Sequence, residues 1–353
     1  MQRRNKTQPG RKTMNEIRLG IIGSGFMGRT NAETITKYLP GTRLIAIAGG
    51  SRAPQLAADY GVESARSIEE LVNRNDIDAV FISTPHSQHA AHTMAAANAG
   101  KHVLLDKPMA ASVEECDQIL AAARRTSVNL MIMFGQRFRL VNREAHRLIQ
   151  EGAIGRIKAI STYALNSGGL ASLPPWQSLP ENLGTLFGHG IHNLDQVRWF
   201  TGDEVTTVAA RVQREAPSNN EVSTMAVLGL RNGGMANVWV SWTIPSPNFP
   251  HSAFSARVIG DTGILDLDAY GSLRLGRDGS WTVVAEQAPI DFRGKGMLDP
   301  VRMEAYGAQG QEFVSSIRER RPPSVTGEDG RAAVEIALAA YQSATEQRTV
   351  LLK

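Results

Sequence analysis

Three unlike pieces in a row constrain this chain most: "IRLGII" at 17–22, "GSGFMG" at 23–28, and "RTNAETITKYL" directly after. The first is short, apolar and β-branched, a strand pattern, and the last reads as helix. A glycine turn between strand and helix is the context in which G-x-G-x-x-G marks a dinucleotide-binding βαβ unit. Gly23 permits the tight turn, Gly25 lets the backbone approach a pyrophosphate, and Gly28 lets helix and strand pack closely. Phe26 and Met27 lie in the same cofactor loop. The free N–H groups at the helix start then face the phosphates.

The alternation of strand and helix continues to about residue 136. "RLIAIA", "DAVFIS", "HVLLD" and "VNLMIM" read as strands, and "SIEE" and "SVEE" open helices with the Ser-x-x-Glu form. This order predicts an α/β fold, with a doubly wound parallel sheet over 16–136. Ligands of such sheets sit at the carboxyl ends of the strands, where Thr84, Pro85, Asp106, Lys107 and Gln136 fall. An acid at the end of the second strand would hold the ribose hydroxyls of NAD. Here that place reads "GGSR", so Ser51 and Arg52 are expected to bind a 2′-phosphate. NADP(H) is the expected preference, with NAD(H) possible. His86, His89 and His92 form an H-x-x-H-x-x-H run. Three-residue spacing drifts around a helix and no cysteine or carboxylate joins them, so no metal is expected. His86 and His89 are assigned to the cofactor groove, and His92 to packing or the surface.

From 137 the texture changes. "RIKAISTYAL", "VTTVAARVQ", "STMAVLGL", "MANVWVSWTI", "FSARVIGD", "GILDLDA" and "SLRLG" read as a strand followed by a meander with hairpin turns. Residues 137–353 are therefore expected to form an α+β domain around a large, mostly antiparallel open sheet. Helices starting at "GQEFVSSIRERR" and "GEDGRAAVEIALAAYQSATEQ" close the chain and pack back on the first domain. A long Pro- and Gly-rich loop over 167–183 suits substrate binding or oligomer contact. Behind it stands "LGTLFGHGIHNLDQ". As a helix it sets His189, His192 and Asp195 on one face, a pattern open to a metal or a proton-transfer reading.

The glycine loop, "AGKHVLLDKPMA", "GHGIHNLDQVRWFTG" and "VTGEDGRAAVEIALAAYQSA" together resemble the glucose–fructose oxidoreductase / inositol dehydrogenase / rhizopine-catabolism (Gfo/Idh/MocA) family from about residue 15 onward. That resemblance implies an NAD(P)-dependent dehydrogenase or reductase acting on a secondary alcohol of a sugar, glycoside or polyol. The family's Glu-Lys-Pro is Asp106–Lys107–Pro108 here, which gives Lys107 the catalytic place. Its Asp-x-Gly-x-His-x-x-Asp helix matches at Gly190, His192 and Asp195, but the first aspartate is Gly188. The resemblance thus implies His192 as general base, a task suited to imidazole. It implies Asp195 as substrate ligand or orienter, with His189, Trp176 and Tyr306 around the substrate. The family's Trp-Arg pair is Trp176–Gln177, and its Arg-Phe pair is Arg137–Phe138, with Arg137 an ion-pair partner. Gly188 keeps two alternatives open: a redox-neutral lyase or glycosidase with retained cofactor, and a non-enzymatic NADP-binding regulator.

The bulk numbers narrow the partners. Charged residues make up 20% of 353 and the net charge is +4, with much of the basic excess in "MQRRNKTQPGRK". Residues 1–15 are expected to be a disordered leader, and Met14 a candidate start. Without a concentrated basic patch elsewhere no nucleic-acid partner is expected. No run of about 18 apolar residues predicts a membrane span. The lone Cys116 excludes an internal disulfide and suits the cytoplasm. The resemblance adds a homodimer or homotetramer, with the Trp239 and Trp242 strand as a candidate contact face.

Overall fold

The computed structural model describes residues 16–168, 175–179, 182, 184–216, 220–249, 253–291 and 294–352. The expected leader, and the middle of the 167–183 loop, lie outside the described residues. The first sheet holds β1 (Ile17–Ile22), β2 (Thr42–Ala48), β3 (Glu63–Ser64), β4 (Ala79–Ile82), β5 (His102–Leu105) and β6 (Leu130–Ile132). Their order is β3-β2-β1-β4-β5-β6, and every neighbouring pair is parallel. All four residues of β4 are buried, as a central parallel strand covered on both faces requires. Helices α1 (Phe26–Tyr38), α2 (Ala53–Asp59), α3 (Ile68–Val72), α4 (His89–Asn98) and α5 (Val113–Thr126) make the crossovers. Ser67 and Ser112 accept the N–H of Glu70 and Glu115 at the starts of α3 and α5. The returning carboxylates reach one residue further back, to the N–H of Arg66 and Ala111. The strand order reverses between β1 and β4, which opens a crevice at their carboxyl ends.

After α6 (Leu140–Gln150) the second sheet begins with β7 (Ile157–Leu165). Helix α7 (Ile191–Thr201) follows, then β8 (Val205–Glu215), β9 (Asn220–Leu230), β10 (Met235–Ser241), β11 (Phe254–Gly260), β12 (Ile264–Asp268), β13 (Ser272–Arg277) and β14 (Ser280–Glu286). The chain closes with α8 (Pro300–Glu319), α9 (Gly327–Glu346) and β15 (Val350–Leu351). The sheet order is β14-β13-β12-β11-β7-β10-β9-β8-β15. The sheet is mostly antiparallel, as expected, but β10 and β11 of the meander are not neighbours. β7 inserts between β10 and β11 and runs parallel to β10, while its other neighbour is antiparallel. An early strand that returns to the centre leaves no mark on the hairpin pattern around it.

One face of this sheet is covered by α7 and α9. On the other face Met225 and Val227 of β9 and Met235 of β10 stay exposed. The first closing helix starts ten residues before the expected Gly310. Pro300 occupies the first turn and the Asp299 carboxylate accepts the N–H of Val301 and Arg302, a strong start signal. Tyr306 therefore lies inside α8, not ahead of it. Both closing helices reach the first unit: Asn129, ahead of β6, donates to Ser316 Oγ of α8 (2.9 Å), and Arg124 of α5 donates to Glu328 of α9 (2.7 Å). Among the described residues no helix is long and apolar enough to cross a membrane.

Candidate active site

A cavity of about 1100 Å³ lies at the carboxyl ends of β1, β2, β4 and β5 and extends to α7 and α8. Its first wall is made largely of backbone. Gly23 has φ +113°, and a Cβ there would lie 2.4 Å from the Ser83 carbonyl oxygen. A Cβ on Gly28 would lie 2.2 Å from Gly23 O, so Gly28 stands behind the loop and lets it close on α1. The start of α1 has no side-chain cap and no acid in its first turn. Its free N–H groups and positive dipole end thus stay open to an anion. Gly25, Phe26 and Met27 line the cavity beside them, with Ser51 and Arg52 from the end of β2. The Arg52 guanidinium crosses the loop, with Nη2 3.7 Å from where a Gly25 Cβ would be. These features fit a dinucleotide.

Thr84, Pro85, His86, Asp106, Lys107 and Gln136 continue this wall toward the second domain. His86 is buried, its Nδ1 3.2 Å from Asn182 O and its ring edge-on to Trp176 at 5.0 Å. Asn182 staples the loop here: its side chain donates to Trp176 O and accepts from Ser87 N–H. No local pattern in the sequence marks that role. Burial, with the neighbouring His89 and Lys107, holds His86 well below the usual histidine range.

His89 is a correction. It does not line the groove, since its buried ring spans two carbonyls, with Nδ1 2.7 Å from Pro108 O and Nε2 2.9 Å from Thr84 O. It ties two strand-end turns together. His92 Nδ1 lies 3.1 Å from Thr84 Oγ1, so it supports the same turn.

Lys107 sits at the hinge between the two walls. Its Nζ donates to the Gly188 carbonyl at 2.6 Å, and its N–H donates to Asp106 Oδ1 at 2.9 Å. Burial lowers the Lys107 pKa, and Asp106 pulls it partly back. Burial raises Asp106, against the pull of Lys107. Gly188 leaves room where its side chain would be: a Cβ there would meet only His86 Cε1, at 3.9 Å.

Residues 186–190 form a π turn before α7. Glu221, buried at the start of β9, holds it. Its carboxylate accepts from the N–H of Leu186 (2.8 Å), Thr224 Oγ1 (2.8 Å) and Tyr341 OH (3.1 Å). His189 in this turn and His192 just after it both line the cavity, whereas Asp195, one turn further along α7, does not. His189 rests against Trp242 (4.0 Å between centroids) and is pushed down to about 3 by burial and Lys107. His192 lies between Phe134 and Phe254, each 6.0 Å away, and its Nδ1 is buried without a partner. Burial first, then Lys107, holds His192 well below the usual histidine range. Its imidazole is therefore neutral at ordinary pH.

Asp195 is the second correction. It is fully buried away from the cavity, and Arg137 Nε and Nη2 donate to its two oxygens at 2.8 and 2.5 Å. It neither touches a ligand space nor orients His192. Arg137 and Arg198 both reach Asp329, at 3.3 and 3.0 Å, so a buried charge network ties α7 to α9. Trp176, Gln177, His189, His192, Phe254, Tyr270 and Tyr306 line the far end of the cavity, with Arg302 donating to Tyr306 OH at 2.8 Å. Arg139 also lines it, a residue the sequence reading passed over. Among the described residues no group of three or more His, Cys, Asp or Glu could hold a metal ion.

A glycine-loop sheet facing a lysine and two half-buried, neutral histidines is the site of an NAD(P)-dependent oxidoreductase. The comparisons agree. Residues 17–134 match the NAD-binding Rossmann fold of the Gfo/Idh/MocA oxidoreductase family, and residues 146–352 match its C-terminal α/β domain. The chain belongs to that family. It is 27% identical to inositol 2-dehydrogenase 2 of Saccharopolyspora erythraea, covering 94% of this chain and 93% of the relative. It is 28% identical to the NADP(+) scyllo-inositol 2-dehydrogenase of Bacillus subtilis over 98% of both chains. The scyllo-inositol dehydrogenase of Lactobacillus casei, solved with NAD(H) and scyllo-inositol, shares the fold with a TM-score of 0.80 at 24% identity, covering 96% of this chain and 99% of that one.

Proposed function

We propose that the protein oxidises a secondary alcohol of a sugar, glycoside or polyol, or reduces the corresponding ketone, with NADP(H) preferred over NAD(H). The observation that carries this reading is the convergence of Lys107, from the end of β5, and His192, from α7, on the dinucleotide cavity. When bound, the nicotinamide supplies the acceptor for the hydride that leaves the carbinol carbon. His192, neutral and partnerless at Nδ1, takes the hydroxyl proton. Lys107 donates a hydrogen bond to the carbinol oxygen, exchanging the Gly188 carbonyl for it. Trp176 and Tyr306 wall the substrate, and Gly23, Gly25, Phe26, Met27, Thr84, Pro85, His86, Asp106 and Gln136 hold the cofactor. Ser51 and Arg52, with no acid beside them, support the NADP(H) preference.

Residues 16–136 and 137–353 are proposed as the cofactor and substrate units. The exposed face bearing Met225, Val227 and Met235 supports assembly into a homodimer or homotetramer. The cytoplasm is the proposed place.

The test is a panel of sugars and polyols with NADP or NAD, following cofactor absorbance and products together. Net reduction matched to ketone is expected, and product without net reduction would instead favour the redox-neutral lyase or glycosidase. His192→Ala and Lys107→Ala are each expected to lower kcat by about 10²- to 10⁴-fold. If both keep full turnover, the assignment is wrong.

A further inference from the structure

Arg139 is an arginine out of place. It is 3% exposed, and its Nε is buried with no hydrogen-bond partner. Its one hydrogen bond among the described residues is a long one, Nη1 to Arg302 O at 3.4 Å, and no carboxylate pairs with it. A buried charge left unpaired is costly, and natural chains avoid it unless something else completes the site. The other cations on the cavity wall are accounted for. Arg29 pairs with Asp59, Lys107 has Asp106 and the Gly188 carbonyl, and Arg52 lies across the glycine loop. Asp106 is the one acid among the described residues that line the cavity.

The placement of Arg139 is specific. Its guanidinium lies over Tyr270 (4.7 Å) and Tyr306 (5.9 Å), both cavity-lining residues of the second unit. Tyr270 leads through Phe254 to His192, with centroid spacings of 6.2 and 6.0 Å. Two aromatic rings hold the fork in a plane, as bidentate recognition of a planar anion needs. A single positive charge there matches one carboxylate better than a doubly charged phosphate.

We infer that the substrate is an acidic sugar, and that Arg139 holds its carboxylate at the Tyr270–Tyr306 end of the cavity while the reacting carbinol lies at Lys107 and His192. This rests on the dehydrogenase reading and adds the substrate class to it. Arg139 is then a specificity residue that touches the substrate away from the reacting carbon.

The experiment uses the full-length protein with hexuronates (D-glucuronate, D-galacturonate), an aldonate (D-gluconate), the uronate methyl esters and D-glucose 6-phosphate. Turnover is followed with NADP and NAD, and binding to the NADPH-loaded protein by calorimetry. An acid-over-ester ratio of kcat/KM on the order of 100 is expected, collapsing toward one in Arg139→Met. Arg139→Lys, which keeps the charge but loses the fork, should fall between and serves if the Met variant does not fold. Equal use of acid and ester overturns the inference, as does a preference for the phosphate ester. So does an equal loss on both in Arg139→Met, or a weakened NADPH affinity of similar size. Turnover of neutral sugars only would leave the dehydrogenase reading standing and this inference refuted. Arg139-dependent binding of an acid without cofactor reduction would do the reverse.

Discussion

The two walls of the cavity are built by opposite means. The cofactor wall is backbone: Gly23 and Gly28 close a loop that any Cβ would break open, and the uncapped start of α1 faces the ligand. The substrate wall is side chain: Arg139 is buried, His189, His192 and Lys107 are half-buried, and all four carry polar atoms and take their positions from aromatic neighbours and from elements far away in sequence. A backbone wall recognises what all dinucleotides share, and local residues suffice to build it. A side-chain wall needs long-range support, because each polar group in it must be held against burial.

The sharpest way to break this contrast is to cut the long-range support. Asp195→Asn removes the buried charge that Arg137 grips with two hydrogen bonds and leaves it Asp329 alone, and should cost about 2–4 kcal/mol of stability, measured by denaturant unfolding. A loss below about 1 kcal/mol would mean that the charge network does not hold the substrate wall. Next in size is the cofactor wall. Arg52→Ala should weaken NADPH binding about 10- to 100-fold and leave NADH binding nearly unchanged. An equal effect on both cofactors would remove Arg52 from the 2′-phosphate.

The smallest expected effect is on the pH profile, and it tests the substrate wall through the protons of its two reacting groups. His192 is lowered, so it stays neutral and competent as a base well below the usual histidine range. The kcat/KM for alcohol oxidation should therefore stay flat from pH 8 down through 6.5. Lys107 is lowered too, so it loses its proton earlier as pH rises. Ketone reduction should accordingly decline at a pH below the usual lysine range. An acid limb centred near 6.5 would contradict a lowered His192.

The same contrast explains what was legible in the sequence. The glycine loop, the parallel sheet, the absence of an acid after β2, and the places of Lys107 and His192 could all be read, because each is local or carried by a motif. Four features could not. β7 pairs parallel with a strand some seventy residues later. The turn at 186–190 widens because Glu221, from another strand, holds its N–H. Asp195 lies three residues after His192, as an orienting acid would, but Arg137 claims it. Arg139 reads as one basic residue in "GQRFR", and only its packing against Tyr270 and Tyr306 distinguishes it. Spacing along a helix does not report which way a side chain turns when its partner is distant.

The central claim is a division of labour between the walls, and one paired measurement tests it most directly. Cofactor affinity and turnover are measured together in Arg52→Ala and His192→Ala. The account predicts that Arg52→Ala loses NADPH affinity, while His192→Ala binds NADPH within about threefold of the parent yet loses at least about a hundredfold in kcat. If His192→Ala weakened the cofactor as much as Arg52→Ala does, or turned over at the parent rate, the division would be refuted.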